Sequence, residues 1–147
     1  MITFALAVFF LIITPGPGVL SVAGVGSAFG FGPGARYIGG LFVGTNLVAI
    51  AVVSGMATVI LANENIRAGL LIASVLYLLY LAYRIAFAGT RIAFKEATSA
   101  PGFWAGVTLQ LVNPKAYAVN TTLLTGFAFL PSSLIAETLL KFLIMNL

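Results

Sequence analysis

Apolar positions along this chain do not alternate with polar ones. They run on in long stretches and are then cut by short polar or Gly/Pro segments. Runs of roughly 20 mostly apolar residues are what a bilayer core about 30 Å thick requires of a helix. The pattern predicts a first span over residues 2–31, interrupted at Thr14-Pro15-Gly16-Pro17-Gly18 and closed by the turn Phe31-Gly32-Pro33-Gly34. A second span follows over 37–61, closed by Asn63-Glu64-Asn65, and a third over 68–87. The most polar stretch, 88–101, carries Arg91, Lys95 and Glu96 and reads as a loop. A fourth span covers 102–130 with a break at Asn113-Pro114-Lys115, and after the turn Pro131-Ser132-Ser133 a fifth begins near Leu134. The fold expected is all-α: one polytopic transmembrane domain over 1–147, with four complete spans and the start of a fifth. That last apolar run reaches Leu147 without a polar cap, so the sequence reads as a piece of a longer protein.

Composition agrees. The chain is 61% hydrophobic and 7% charged, and a soluble domain of this length would expose more apolar surface than water tolerates. A transmembrane β-barrel would show alternating segments of about ten residues, whereas these are continuous and rich in Leu, Ala, Ile and Gly. A signal peptide is disfavoured, because no basic residue precedes the first run and no A-x-A-like site follows it. The net charge of +4 comes from seven Lys/Arg against three Asp/Glu. These cations sit singly near span ends and form no stripe for nucleic acid, so they are read as topology: Arg36, Arg84, Arg91 and Lys95 put two connections on the cytoplasmic side and the N-terminus outside. The chain has no Cys, His or Asp. That excludes disulfides, thiolate or imidazole metal sites, a Ser-His-Asp triad and a paired-aspartate protease, so neither a catalytic centre, a metal nor a cofactor is expected.

The two breaks carry the candidate chemistry. Proline removes one helical donor and displaces the carbonyl four residues earlier, so Pro15 and Pro17 free the carbonyls of Leu11 and Ile13, and Pro114 frees that of Gln110. In hydrocarbon each such group costs several kcal/mol unless protein, water or ligand partners it. One proline is easily absorbed as a kink. Thr14-Pro15-Gly16-Pro17-Gly18 is harder to absorb, and a helix restarting there offers the N–H groups of Gly18, Val19 and Leu20 to a carboxylate. Freed carbonyls beside it suit an ammonium group, and a molecule with both charges on one carbon is an α-amino acid. Discontinuous helices near the midplane are where secondary transporters place such substrates. In the second break Asn113 is a good N-cap, Gln110 is a polar neighbour, and Lys115 is the one charge this span count puts well inside the membrane. An intramembrane cation is a functional candidate; a lysine snorkelling to the headgroups is the rival account.

Both breaks follow a small polar residue, one in the first span and one in the fourth. Three spans per unit then suggest an inverted repeat, 1–95 and 102–147, within a six-helix 3+3 bundle. Gly26/Gly30, Gly40/Gly44 and Gly102/Gly106 recur at spacings of four, which suits close helix packing, within the chain or in a homo-oligomer. Tyr77, Tyr80 and Tyr83 with Phe103 and Trp104 read as an interfacial aromatic belt.

In order along the chain, "TPGPGVLSV", "GSAFGFGPGARYIGGLFVG", "LYLLYLAYRI" and "GFWAGVTLQLVNPKAYAV" resemble the bacterial lysine/homoserine/threonine exporter (LysE/RhtB) family, over nearly the whole stretch 4–131. The resemblance implies a small multi-pass inner-membrane protein of five or six helices that exports amino acids, with protons as coupling ion. It carries Pro15, Gly16 and Pro17 over as the first motif and Asn113, Pro114 and Lys115 as the second. The family is longer by about two helices, and Gly18 after Pro17 leaves little side-chain chemistry for choosing a substrate. Proton coupling has no evident carrier: Glu64 and Glu96 are placed in loops and Glu137 at the start of the fifth span. No acidic side chain is placed convincingly in a cavity, which favours neutral substrates such as threonine or homoserine over lysine. A passive channel, a non-transporting membrane subunit and an intramembrane enzyme are the other classes; the last lacks its usual residues.

Overall fold

The computed structural model describes residues 1–56, 62–86, 99–129 and 133–147, and among these it contains seven α-helices and no strand. They are α1 (Ile2–Ile13), α2 (Pro17–Phe29), α3 (Phe31–Val53), α4 (Glu64–Ala86), α5 (Phe103–Val112), α6 (Pro114–Thr125) and α7 (Leu134–Asn146). Arg91, Lys95 and Glu96, with Pro131 and Ser132 of the expected turn, lie outside the described residues.

Helices Phe31–Val53 and Glu64–Arg84 are long and apolar enough to cross a membrane. The pair Ile2–Ile13 and Pro17–Phe29, bent by 52°, makes a third crossing if it forms a single span. The stretch expected to be a fourth span divides into α5 and α6, of 10 and 12 residues, each too short to cross alone at about 1.5 Å per residue. The outward faces are apolar, with Leu71, Ile72, Val75, Leu76 and Leu79 of α4 all exposed; lipid satisfies such a face as water does not.

Two expected turns are helix. Phe31-Gly32-Pro33-Gly34 forms the first turn of α3, where Pro33 is tolerated because the first N–H groups of a helix have no internal partner. The joint with α2 is the single residue Gly30, at φ +86°, a conformation that side chains rarely allow. Asn63-Glu64-Asn65 opens α4 rather than closing the helix before it. The Asn63 carboxamide oxygen accepts from the Asn65 and Ile66 amides at 3.0 and 3.1 Å, which is how an N-cap satisfies orphan donors.

Helices α3 and α5 meet backbone to backbone. A Cβ on Gly40 would strike the Phe103 carbonyl, and one on Gly106 would strike the Tyr37 carbonyl. The glycine spacing therefore serves packing within the chain at these positions, with van der Waals contact supplying attraction that the hydrophobic effect cannot supply in lipid. A Cβ on Gly30 or Gly102 would meet nothing within 4 Å. Around the crossing, Val25, Tyr37, Leu81 and Leu109 form one core cluster, Val48, Val52, Ala116 and Tyr117 a second, and Phe4, Val8 and Leu123 a third. Of the supposed aromatic belt, Tyr77 is a strut: its hydroxyl donates to the Ala105 carbonyl at 2.8 Å, tying α4 to α5.

Lys115 is not the one charge set deep in the structure. Lys141 and Glu137 are 3% and 5% exposed and paired at 2.7 Å on adjacent turns of α7. Lys141 also donates to the carbonyls of Leu124, at 2.9 Å, and Phe127, while Glu137 accepts from the Phe129 amide at 3.0 Å. The pair therefore closes the end of α6 and the irregular backbone after it. Its signal in the sequence is an acid and a base four positions apart in an apolar run, the spacing that puts two side chains on one helix face.

Candidate functional site

The first break is three residues long. Helix α1 ends at Ile13; Thr14 leaves the helical region at ψ 121°, and its hydroxyl turns back to the Phe10 carbonyl. Gly16 is fully extended at φ −154°, ψ −178°, and Pro17 takes the first position of α2, where its fixed φ fits and its missing N–H costs nothing. The first internal bond of α2 runs from the Leu20 amide to the Gly16 carbonyl at 3.0 Å. Leu20 is thus not one of the open donors, contrary to expectation. The amides left over are those of Gly18 and Val19, and no side chain caps them.

The second break is one residue long. Asn113 is extended at φ −83°, ψ 106°, with Pro114 again at the first helical position. Its carboxamide oxygen accepts from the Lys115 amide at 3.1 Å, the N-cap the sequence predicts. Its NH₂ group then faces the Gln110 carboxamide oxygen at 3.1 Å, and the Gln110 NH₂ donates to the Thr45 hydroxyl. The orientation of each amide is dictated by the one before it, beginning from a backbone N–H that can only donate. The carbonyl of Gln110, freed by Pro114, accepts from the Asn113 amide at 3.3 Å. This break is closed by its own residues.

A single interaction joins the two. The Lys115 ammonium donates to the Thr14 carbonyl at 2.7 Å, across 101 positions of sequence. Gly16 leaves the lysine its path, since a Cβ there would stand 2.9 Å from Lys115 Cδ. Gly44 does the same for Gln110, whose Cβ would lie 2.7 Å from an added methyl. The side chain is bound to the backbone of the other break.

Both breaks face one cavity of about 430 Å³, within the roughly 300–1,000 Å³ of small-molecule sites. Thr14, Gly16, Pro17, Gly18, Gln110, Asn113 and Lys115 line it, together with Val19, Thr45 and Asn120. Pro15 and Pro114 do not line it; they shape the backbone that does. Asn46 of α3 and Asn146 of α7, which also line it, exchange reciprocal amide hydrogen bonds of 2.8 and 3.1 Å. Among the described residues lining the cavity, Lys115 is the one charged side chain. No group of three or more metal-ligating side chains occurs among the described residues. Asn120 was not singled out by its sequence; an asparagine in "VNTTLL" carries no motif.

The family described as LysE type translocator matches residues 9–144. No curated protein and no solved structure matches the chain.

Proposed function

We propose that this chain, which belongs to the LysE type translocator family, exports a neutral α-amino acid across the bacterial inner membrane through the cavity between its two helix breaks. The observation that carries this reading is the asymmetry of charge at the first break. The open amides of Gly18 and Val19 stand at the positive end of α2, and Lys115 reaches the same break. A helix N-terminus and an ammonium together favour a carboxylate. With a lysine and no acid on the wall, the cavity repels a substrate of net positive charge, so threonine- or homoserine-like molecules fit it better than lysine. In this reading the two breaks are the equivalent points of an inverted 3+3 repeat, the arrangement in which transporters hold substrate between discontinuous helices. Among the described residues lining the cavity there is no carboxylic acid to carry a coupling proton.

Efflux from proteoliposomes preloaded with all twenty amino acids, with and without an imposed pH gradient, tests the reading. Saturable loss of one or a few neutral amino acids, with counterflow, is expected. Selective loss of lysine or arginine contradicts the charge reasoning, and unsaturable loss without counterflow points to a passive pore.

A further inference from the structure

One turn away from the breaks the wall of the cavity is apolar. Leu11 of α1, Val119 of α6 and Met145 of α7 line it, each half-buried, and all three pack against the core cluster of Phe4, Val8 and Leu123. Three helices thus contribute to a single patch. Its place relative to the cation follows from helix geometry. Lys115 holds the Thr14 carbonyl; Leu11 lies three residues before Thr14, and Val119 lies four residues after Lys115. Each is one turn along its helix, which on α6 is about 6 Å at about 1.5 Å per residue. Residues four apart share a helix face, so a molecule whose carboxylate sits at Gly18, Val19 and Lys115 can lay its side chain on this patch.

The polar residues next to the patch have nothing to offer that side chain. Asn146 follows Met145, and its NH₂ group donates to the Phe142 carbonyl at 2.8 Å and to the Asn46 carboxamide oxygen at 3.1 Å. Asn46 answers with bonds to the Phe42 carbonyl at 3.0 Å and to the Asn146 oxygen at 2.8 Å. Every N–H of both amides is spent within the protein, and each oxygen is taken. Asn120, which follows Val119, is 2% exposed, too enclosed to meet a ligand. A hydroxyl placed on this patch would leave water for a wall without partners, which costs free energy, whereas a methyl group gains by the same move. We infer that the exported neutral amino acid carries an apolar side chain, such as that of valine, leucine or methionine, held against Leu11, Val119 and Met145. Charge turns lysine away, and the patch then selects among the neutral amino acids. This inference rests on the exporter reading above.

Calorimetric titration of the purified protein with each of the twenty L-amino acids and with homoserine tests it. Valine and threonine give the sharpest comparison, because they have nearly the same shape and differ by a methyl group against a hydroxyl. The wild-type protein should bind valine about tenfold or more tightly than threonine. Met145→Gln puts a hydrogen-bonding side chain on the patch and should cut that gap to about threefold or less, with the affinity for alanine, whose side chain is too short to reach the patch, unchanged. If Met145→Gln does not fold, Leu11→Gln serves, with the same narrowing expected. Threonine or homoserine bound by the wild-type protein as tightly as valine, or an undiminished gap in the folded variant, overturns the inference. Folded wild-type protein that binds none of the twenty overturns the exporter reading itself.

Discussion

At Gly16 and at Asn113 the backbone makes the same move: an extended residue immediately precedes a proline that opens the next helix. At Asn113 the extended residue has a side chain, which turns back onto the Lys115 amide and links to Gln110 and Thr45. At Gly16 it has none, and the amides of Gly18 and Val19 stay open. A cap and an anion compete for the same donors. The difference between asparagine and glycine therefore separates a break whose first amide is capped from one whose first amides are left open. The segment after α6 adds a second finished case, with Lys141 and Glu137 closing its carbonyls and amide. Finished breaks should matter for stability and the open one for transport.

The strongest way to break this comparison is to heal the open end. Replacing Pro15 and Pro17 together by alanine restores two backbone donors, and a continuous helix should abolish efflux while membrane insertion, followed by fractionation, persists. Retained efflux would show that the gap is not needed. Next in size is Lys141→Met, which strands a buried Glu137; removing one partner of a buried pair costs about 3–5 kcal/mol. The thermal midpoint should fall sharply, with substrate affinity in the surviving folded fraction unaltered. Lys115→Met should have the opposite signature, with apparent substrate affinity about tenfold weaker, or ~1.4 kcal/mol, and little loss of stability. Smallest is Asn113→Ala, where loss of the cap costs about 1 kcal/mol, read as a modest drop in thermal midpoint. A larger effect on substrate affinity than that of Lys115→Met would reverse the roles of the two breaks.

Much of this was legible along the chain because proline and glycine act locally. Both breaks, the cap on the second and the proline at the start of each restarted helix follow from residues one to four apart. Boundaries were harder. Gly32-Pro33-Gly34 looks like a turn, yet a helix's first turn accepts all three residues, and only the positive φ of Gly30 marks the joint. Asn63 could end one helix or begin another, and the choice depends on which amides it meets. The site's decisive contacts are longer in range. Nothing local says that Lys115 reaches Thr14, because that depends on how α1 and α6 come together across 101 positions of sequence. The Glu137 and Lys141 pair was legible in its four-residue spacing, but its burial depends on α7 meeting the end of α6.

The most direct measurement is an amide NMR titration of the protein labelled with ¹⁵N glycine, valine and lysine. The wild-type protein is titrated with the amino acid it exports, and separately with the corresponding decarboxylated amine. The Gly18 and Val19 amides should shift with the amino acid and not with the amine, while the Lys115 amide, held by Asn113, stays in place under both. A shift at the Lys115 amide with Gly18 and Val19 unmoved would mean that the carboxylate lies at the second break, and that the open amides of the first break do not bind it.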